Sequence, residues 1–249
     1  MTPDLERSHP PKKKWLTTLV TIGAIAAIAF GAITWKKNTE TKNAIISNRV
    51  IASKSGKLGE AFAANIDQKV NLDLIEQDTS DGNATSQEFL KLYKHRKAAN
   101  ESLVLGKPSP EELPDAINLT LLQADADAGN KDAALQIELM KQRKLINENV
   151  QFGKETPEKI LSQLGMELLK KDNEAGNSEL DSALSLIKNR AEAKARCVLG
   201  KPFALDFYDY VDRSILEQDA EAGYVQSKEI LKLADNRLEV LKVALTYKP

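Results

Sequence analysis

Few side chains in this sequence are of the types that build metal sites or nucleophilic active sites. The 249-residue chain contains two histidines, His9 and His95, and a single cysteine, Cys197. Zinc sites and Cys–His catalytic pairs need several such groups close together, so one copy of the chain does not supply them. A lone cysteine also excludes a disulfide framework within the chain. We expect no metal site, and we expect Cys197 to be an inert thiol in the core.

Two kinds of loop resemble ligand-binding motifs but lack the residues that those motifs require. Counted from Asp125, the fifth position of a calcium loop would be Gly129 and the twelfth Gln136, where oxygen ligands including a glutamate are needed. The Gly-Lys-Pro segments at 106–108 and 200–202 lack the upstream glycine and the following Ser or Thr of a phosphate loop. The sequence therefore predicts no cofactor.

One segment near the C terminus combines aspartates with aromatic residues. It contains Asp206, Tyr208, Asp209, Tyr210 and Asp212. A cleft lined by such carboxylates would suit an enzyme or an enzyme subunit. Tyrosines interleaved with aspartates are equally typical of a surface that binds another protein, or of a repeat that caps an array. Because no motif requires catalysis, we expect a non-enzymatic protein and assign Tyr208 and Tyr210 to partner binding.

Arginine and aspartate each recur with a spacing of 47 residues. The arginines are Arg49, Arg96, Arg143, Arg190 and Arg237, and the aspartates are Asp78, Asp125, Asp172 and Asp219. A bond inside one hairpin does not fit, because Asp125 and Arg143 would lie at heights that differ by about 15 Å. Either the arginines bind acids or carbonyls of the adjacent repeat, or they line a concave face and bind a carboxylate-bearing partner. The second interpretation makes Arg96, Arg143, Arg190 and Arg237 candidate partner-binding residues.

Glycine and apolar residues follow the same 47-residue period. The glycine columns are Gly82, Gly129, Gly176 and Gly223, and Gly59, Gly106, Gly153 and Gly200. Apolar residues spaced by four, as in Ile66, Val70 and Leu74, recur in every unit and predict an amphipathic helix A. A second apolar pattern, which includes Leu92 and its equivalents, predicts a helix B. Each glycine stands where a helix should end in a left-handed cap.

Helical hairpins of this kind cannot bury their apolar faces alone, so neighbouring units stack. We predict an all-α fold with a single N-terminal transmembrane helix, followed by an α-solenoid of four 47-residue helix-turn-helix repeats. The expected parts are a tail at 1–14, the transmembrane helix at 15–35, a linker and capping helix B at 36–54, and the repeat domain at 55–249, with repeats at about 55–101, 102–148, 149–195 and 196–249. The apolar end of the last helix B, residues 238–245, is either a cap or a dimer surface.

The turns resemble those of a known repeat family. The turn at 126–135 (ADAGNKDAAL) is similar to the Ala-Glu-x-Gly-Asn-x-x-Ala turn of Sel1-like repeats, which are helical-hairpin relatives of the tetratricopeptide repeat. The turns at 173–177 (NEAGN) and 219–224 (DAEAGY) look like the same element. The family unit is several residues shorter, and its second-turn Gly-x-Gly is absent here. The resemblance implies a scaffold for protein–protein contacts, without catalytic residues to carry over.

The segment from Trp15 to Trp35 contains no charged residue over 21 positions, long enough for a helix to span about 30 Å of hydrocarbon. Tryptophan at both ends suits the membrane interfaces, and lysines flank the segment. A cleaved signal peptide is the alternative, since 27–29 (AIA) resembles a cleavage site. The basic tail favours a cytoplasmic N terminus, which would place the repeat domain in the periplasm on a single-pass inner-membrane anchor.

These observations lead to one functional expectation and its alternatives. A net charge of −1 gives no broad basic surface for nucleic acid. We expect a membrane-anchored, non-enzymatic scaffold or adaptor that binds a protein partner in the bacterial envelope, in a specific form an immunity protein against an envelope-targeted toxin. The alternatives are a structural homo-oligomer formed through the C-terminal helix, and an enzyme or enzyme subunit with a carboxylate site.

Overall fold

The computed structural model describes residues 12–61, 66–110, 112–201 and 203–246, with side chains from residue 30 onward. Within these ranges the chain is helical and contains no strand, which confirms the all-α prediction. The helices are α1 (Lys12–Ser55), α2 (Ile66–Lys69), α3 (Leu72–Ser80), α4 (Ala84–Ser102), α5 (Leu119–Asp127), α6 (Lys131–Asn149), α7 (Glu158–Gln163), α8 (Met166–Glu174), α9 (Asp181–Arg196), α10 (Phe207–Tyr210), α11 (Arg213–Glu221) and α12 (Val225–Thr246). A 3₁₀ turn, Ser178–Leu180, precedes α9.

The described residues form two compact units. The first contains α1 to α3 and the beginning of α4, through Lys91, and the second contains residues 58–61 and the chain from Leu92 onward. In both, a nine-residue helix is followed by a tight turn and a long helix. The eight glycines of the two sequence columns all have positive φ, from 79° to 121°, as left-handed helix caps and loops require. The predicted hairpins are therefore present.

The prediction of a continuous helix A is wrong, because the chain bends within this segment. Its first turn forms a short separate helix (α2, α7 and α10), or a turn at 115–116 in the second hairpin, and the chain then bends before the nine-residue helix. At the first bend Asn71 has extended dihedral angles, φ −79° and ψ 105°, and its side chain accepts from the N–H of Leu74 as an N-cap. The bend leaves the apolar residues on both sides buried, which is why their spacing alone did not reveal it.

The core of the second unit consists of apolar clusters whose members recur every 47 residues. One cluster contains Ala99, Leu103, Ile117, Leu122 and Ala133; the next contains Ile146, Val150, Leu164, Leu169 and Leu180; the third contains Ala193, Cys197, Val211 and Leu216. Each cluster joins the end of one long helix to both parts of the following hairpin. Cys197 is buried where Leu103 and Val150 lie in the other clusters, as predicted, and burial raises the pKa of its thiol.

The N-terminal predictions fall mostly on residues that the structure does not describe. The tail at 1–14 lies outside the described residues as far as residue 11, and the side chains of the predicted transmembrane segment, Trp15 to Trp35, are described only from residue 30. Among the described residues, no helix is both long and apolar enough to cross a membrane. The predicted linker and capping helix at 36–54 belongs to α1, which continues to Ser55.

Candidate partner-binding site

The first four arginines of the column each bind an aspartate of the following hairpin. Arg143 on α6 donates from Nε and Nη2 to the two carboxylate oxygens of Asp172 on α8, with both distances 2.6 Å. The same pair of bonds joins Arg49 to Asp78, Arg96 to Asp125, and Arg190 to Asp219, always 29 residues apart. Two parallel N–H···O bonds to a carboxylate form a strong, planar contact. The Arg–Asp contact therefore joins each long helix to the next hairpin.

Each of the last three aspartates also binds a loop glycine far earlier in the chain. Asp172 is fully buried and accepts from the N–H of Gly106 at 2.8 Å, across 66 residues, and from Asn177 Nδ2 at 2.9 Å. Burial alone would raise the pKa of Asp172, but the bonds from Arg143, Gly106 and Asn177 outweigh it and keep the pKa below its ordinary value. Equivalent bonds run from Gly59 to Asp125 and from Gly153 to Asp219. Each carboxylate thus connects three segments of the repeat.

The structure places two of the candidate arginines inside the protein. Arg143 is 2% exposed and also donates to the carbonyl oxygen of Val104 at 2.9 Å, and Arg96 is similarly buried. Arg190 is partly exposed and lies 4.2 Å from the ring centroid of Tyr224. These contacts are those of the first interpretation, bonds to acids and carbonyls of adjacent repeats. Partner binding by these arginines stays a prediction. It would have to involve guanidinium groups that already bind carboxylates of this chain.

Sequence reasoning missed a second polar column, which immediately precedes the arginines. Its members are Asn48, His95, Gln142 and Asn189. In each, a side-chain oxygen or nitrogen accepts from the backbone N–H at the bend 23 residues later, at 2.7 to 3.1 Å. This bond satisfies an N–H at the start of the nine-residue helix and fixes the bend. The signal was present, because all three residue types offer an acceptor beside each arginine, but their identities differ.

The last arginine of the column has a different environment. Arg237 on α12 donates from Nη1 and Nη2 to the carbonyl oxygen of Val198 at 3.2 Å, the bond equivalent to that between Arg143 and Val104. Among the described residues, no carboxylate lies within salt-bridge distance of Arg237 and no acceptor binds the N–H of Gly200. In the three preceding repeats one aspartate fills both roles. Among the described residues, Arg237 and Gly200 thus share no carboxylate.

Apolar residues near Arg237 are more exposed than their equivalents in the earlier repeats. Val240 is 67% exposed, whereas Ala193 and Ile146, at one and two periods before it, are fully buried. Leu199 is 78% exposed. Beside them an open groove of about 710 Å³ runs between α9 and α12, lined partly by Cys197, Val198, Ile230 and Leu233. We call Leu199, Gly200, Asn236, Arg237 and Val240 the C-terminal surface.

The two candidate tyrosines differ in accessibility. Tyr208 is half-buried, and its hydroxyl donates to Asp235 Oδ1 at 2.9 Å; burial and this contact raise its pKa to about 12. Tyr210 is 52% exposed, with the guanidinium carbon of Arg196 3.6 Å from its ring centroid. Tyr208 therefore contributes to packing of the last hairpin, while Tyr210 presents an aromatic face with a stacked cation on the surface.

The aspartates that an enzyme would need have ordinary structural positions. Asp212 is the N-cap of α11 and accepts from the N–H groups of Ser214 and Ile215. Asp206 and Asp209 are exposed. In the part of the chain that the structure describes, no group of three or more His, Cys, Asp or Glu side chains is arranged to hold a metal ion.

Comparison with family models, with curated proteins and with solved structures finds no match for this chain. The resemblance to Sel1-like and tetratricopeptide-like repeats therefore stays a prediction from the turn sequences.

Proposed function

We propose that this protein is a membrane-anchored, non-enzymatic scaffold or adaptor that binds a protein partner in the bacterial cell envelope. The proposal rests on one observation, that the buried charged side chains of this protein bind one another. Asp125, Asp172 and Asp219 and the arginines that bind them all join one hairpin to the next. The polar interior thus holds helices in register, and what the chain offers to other molecules is the surface of its stacked hairpins.

The finer architecture in this proposal is an α-solenoid of four repeats, with the segment Trp15 to Trp35 as its anchor and the repeat domain in the periplasm. Contacts at separations of 23, 29 and 66 residues recur between hairpins, which favours a regular stack. Anchoring such a surface at the membrane would raise the local concentration of envelope partners. A specific form of the function is immunity to an envelope-targeted toxin.

The direct test is affinity capture of the full-length chain after chemical cross-linking in cells and solubilisation of the membranes. The proposal predicts a heterologous protein in stoichiometric amount, captured reproducibly and retained after a high-salt wash. Self-association alone would favour the structural homo-oligomer instead, for which Val240, Val243 and Leu245 supply exposed apolar area. For the immunity form, expression of this chain alone should protect cells from the captured partner.

A further inference from the structure

We propose that the C-terminal surface binds a helical hairpin of a partner protein, and that an acidic residue of this hairpin takes the place which Asp125, Asp172 and Asp219 take in the preceding repeats. This inference rests on the proposed function in taking the ligand to be a protein. The template for the bound geometry comes from the chain itself. We call a repeat filled when its arginine and its loop glycine both bind one aspartate, as they do at Asp125, Asp172 and Asp219.

The polar part of the template requires a carboxylate. In the filled repeats one aspartate accepts from an arginine 29 residues earlier and from a glycine N–H 66 residues earlier. Arg237 and Gly200 occupy these two donor positions, since they are 37 residues apart like Arg143 and Gly106, and no acid among the described residues binds them. One carboxylate would therefore satisfy both donors.

A second polar group fixes where the partner helix begins. Asn236 precedes Arg237 as Asn189 precedes Arg190, and Asn189 Oδ1 accepts from the N–H of Asp212 at the start of α11. Asn236 is exposed and lines the groove beside α12. It is positioned to accept from the first N–H of a partner helix in the same way. Two separate acceptor and donor sites thus predict the same helical ligand.

The apolar and charged surroundings agree with this ligand. Val240 and Leu199 are exposed where equivalent or neighbouring positions of filled repeats pack against the next hairpin. The groove and the adjoining pocket are lined by Lys194, Lys201, Lys232 and Arg237 against one acid, Glu229. Excess positive charge favours an acidic partner and steers its approach.

A second copy of this chain does not fit as the ligand. Its aspartates at the required position are already bound by its own arginines, and Asp125, Asp172 and Asp219 are completely buried. Asp78 is bound by Arg49 and Ser86. Releasing one of them would leave a buried arginine without its carboxylate, which costs more than the new contact gains.

The docking geometry is testable without a partner. In the test protein, a copy of residues 203–249 is appended after Pro249. The appended equivalent of Asp219 then lies 29 residues after Arg237 and 66 residues after Gly200. Tyr247, which stands in the loop-glycine column, is replaced by Gly. We expect hydrogen exchange of the Gly200 amide to slow by about tenfold or more, towards the rates of Gly106 and Gly153 in the same molecule. In the matched control the appended aspartate is asparagine. Equal exchange at Gly200 in both fusions and in the natural chain would show that no such docking occurs.

The partner itself is tested by a photo-cross-linking amino acid at Val240 of the full-length chain in its native cells. We expect an adduct with a different protein, and its loss in the variants Arg237→Ala and Gly200→Ala. A β-carbon on Gly200 has open space in the free chain, but at Gly106 and Gly153 the equivalent atom would lie 2.1 to 2.2 Å from a carbonyl oxygen of the docked turn. Gly200→Ala should therefore block docking, while the free protein bears only the backbone strain of alanine at a positive φ.

The outcomes separate this inference from the proposed function. The same cross-linker at Leu119, exposed on α5, is the control position and should give no adduct. A partner that reacts at Leu119 or is captured by affinity, but does not react at Val240, would leave the scaffold function intact and contradict this site. An adduct of twice the chain mass at Val240 would identify a second copy as the ligand. If neither method finds a partner but the appended repeat docks, the result contradicts the proposed function and the partner, and supports only the docking geometry.

Discussion

At the scale of single residues, the same side chain has different roles at different periods of the chain. Arg143 is enclosed and bound by Asp172, whereas Arg237 binds a backbone carbonyl and lies over the ring of Phe203. A buried charge that loses its partner is destabilising because it keeps its desolvation cost without its attraction. Comparison of equivalent arginines can therefore measure the Arg–Asp contact inside one protein.

We predict that Arg143→Ala lowers the free energy of unfolding by about 3–5 kcal/mol, since it leaves Asp172 buried without its cation. In a chain of this size each kcal/mol shifts Tm by about 2–4 °C. Arg237→Ala is the control and should cost less, about 1 kcal/mol, because it removes the bonds to Val198 and a ring contact with Phe203 but leaves no buried carboxylate without its cation. Thermal unfolding followed by circular dichroism measures both.

Partner affinity separates the two interpretations of the arginine column. If Arg143→Ala and Arg190→Ala lower Tm while the folded variants bind the captured partner as tightly as the natural chain, the internal contact accounts for both residues. A loss of affinity without a loss of Tm would instead place them at the interface.

A second residue-scale prediction concerns pH. Burial lowers the pKa of His95 below its ordinary value near 6.5, and Asp125 and Arg96 beside it act in opposite directions. The unfolded chain therefore binds a proton near pH 6.5 that the folded chain does not, so stability falls as pH decreases below 6.5. Protonation would also remove the Nδ1 acceptor that binds the N–H of Asn118.

We expect the free energy of unfolding of the natural chain, measured by urea denaturation, to fall between pH 7 and 5.5, with a slope of at most about 1.4 kcal/mol per pH unit. His95→Asn is the matched control, because Asn48 and Asn189 make the same bond in other repeats. Its midpoint should be nearly flat over this interval. Parallel curves for the two chains would mean that His95 is not the group responsible.

At the scale of elements, loop glycines allow the hairpins to approach closely. Gly153 and Gly200 both have φ of 79°, so alanine is strained equally at either position. They differ in surroundings: a β-carbon on Gly153 would lie 2.1 Å from the carbonyl oxygen of Ala222, whereas nothing lies within 4 Å of one on Gly200. The pair therefore isolates the contact between loop and turn.

We predict that Gly153→Ala lowers the free energy of unfolding by about 1–3 kcal/mol more than Gly200→Ala, the difference being the cost of overpacking. Chemical denaturation of both variants measures it. Equal losses would show that backbone strain alone requires these glycines, and that the loop does not approach the turn of the later hairpin as closely as described.

The elements also show which features a sequence pattern can predict. A left-handed turn, as at Gly82 or Gly153, accepts almost only glycine. A close-packed core position, as at Leu122 or Leu169, accepts almost only an apolar residue. These columns were therefore visible in the sequence. The bend at Asn71 was not visible in the sequence. The backbone N–H at the bend needs only a hydrogen-bond acceptor on the preceding long helix, and Asn, His and Gln each provide one.

The Arg–Asp contact was only half visible, for a geometric reason. Both columns stand out in the sequence, yet the partner of Arg143 is Asp172 in the following hairpin and not Asp125 in its own. Periodicity gives the same spacing for either choice, and only the stacking of hairpins decides between them. For the same reason the pattern did not reveal that Arg237 differs from its equivalents.

At the scale of the whole molecule, the contacts between hairpins have short and constant separations along the chain. In such repeats stability is a sum of units and of interfaces between neighbours. The last hairpin has a neighbour on one side only among the described residues, so its long helix α12 gains least. We therefore expect amide exchange in α12 to be faster than in α6, although both helices have comparable length and repeat position.

The membrane topology in the proposed function is testable through the single cysteine. Cys197 is buried and its pKa is raised, so the natural chain should not react with a maleimide that cannot cross the inner membrane. Lys201→Cys introduces an exposed thiol on the repeat domain, and His9→Cys introduces one in the basic tail. A periplasmic repeat domain predicts labelling of the first variant in intact cells with a permeable outer membrane, and of the second only after lysis. The reverse pattern would invert the orientation, and recovery of the natural chain in the supernatant after a carbonate wash would exclude the anchor.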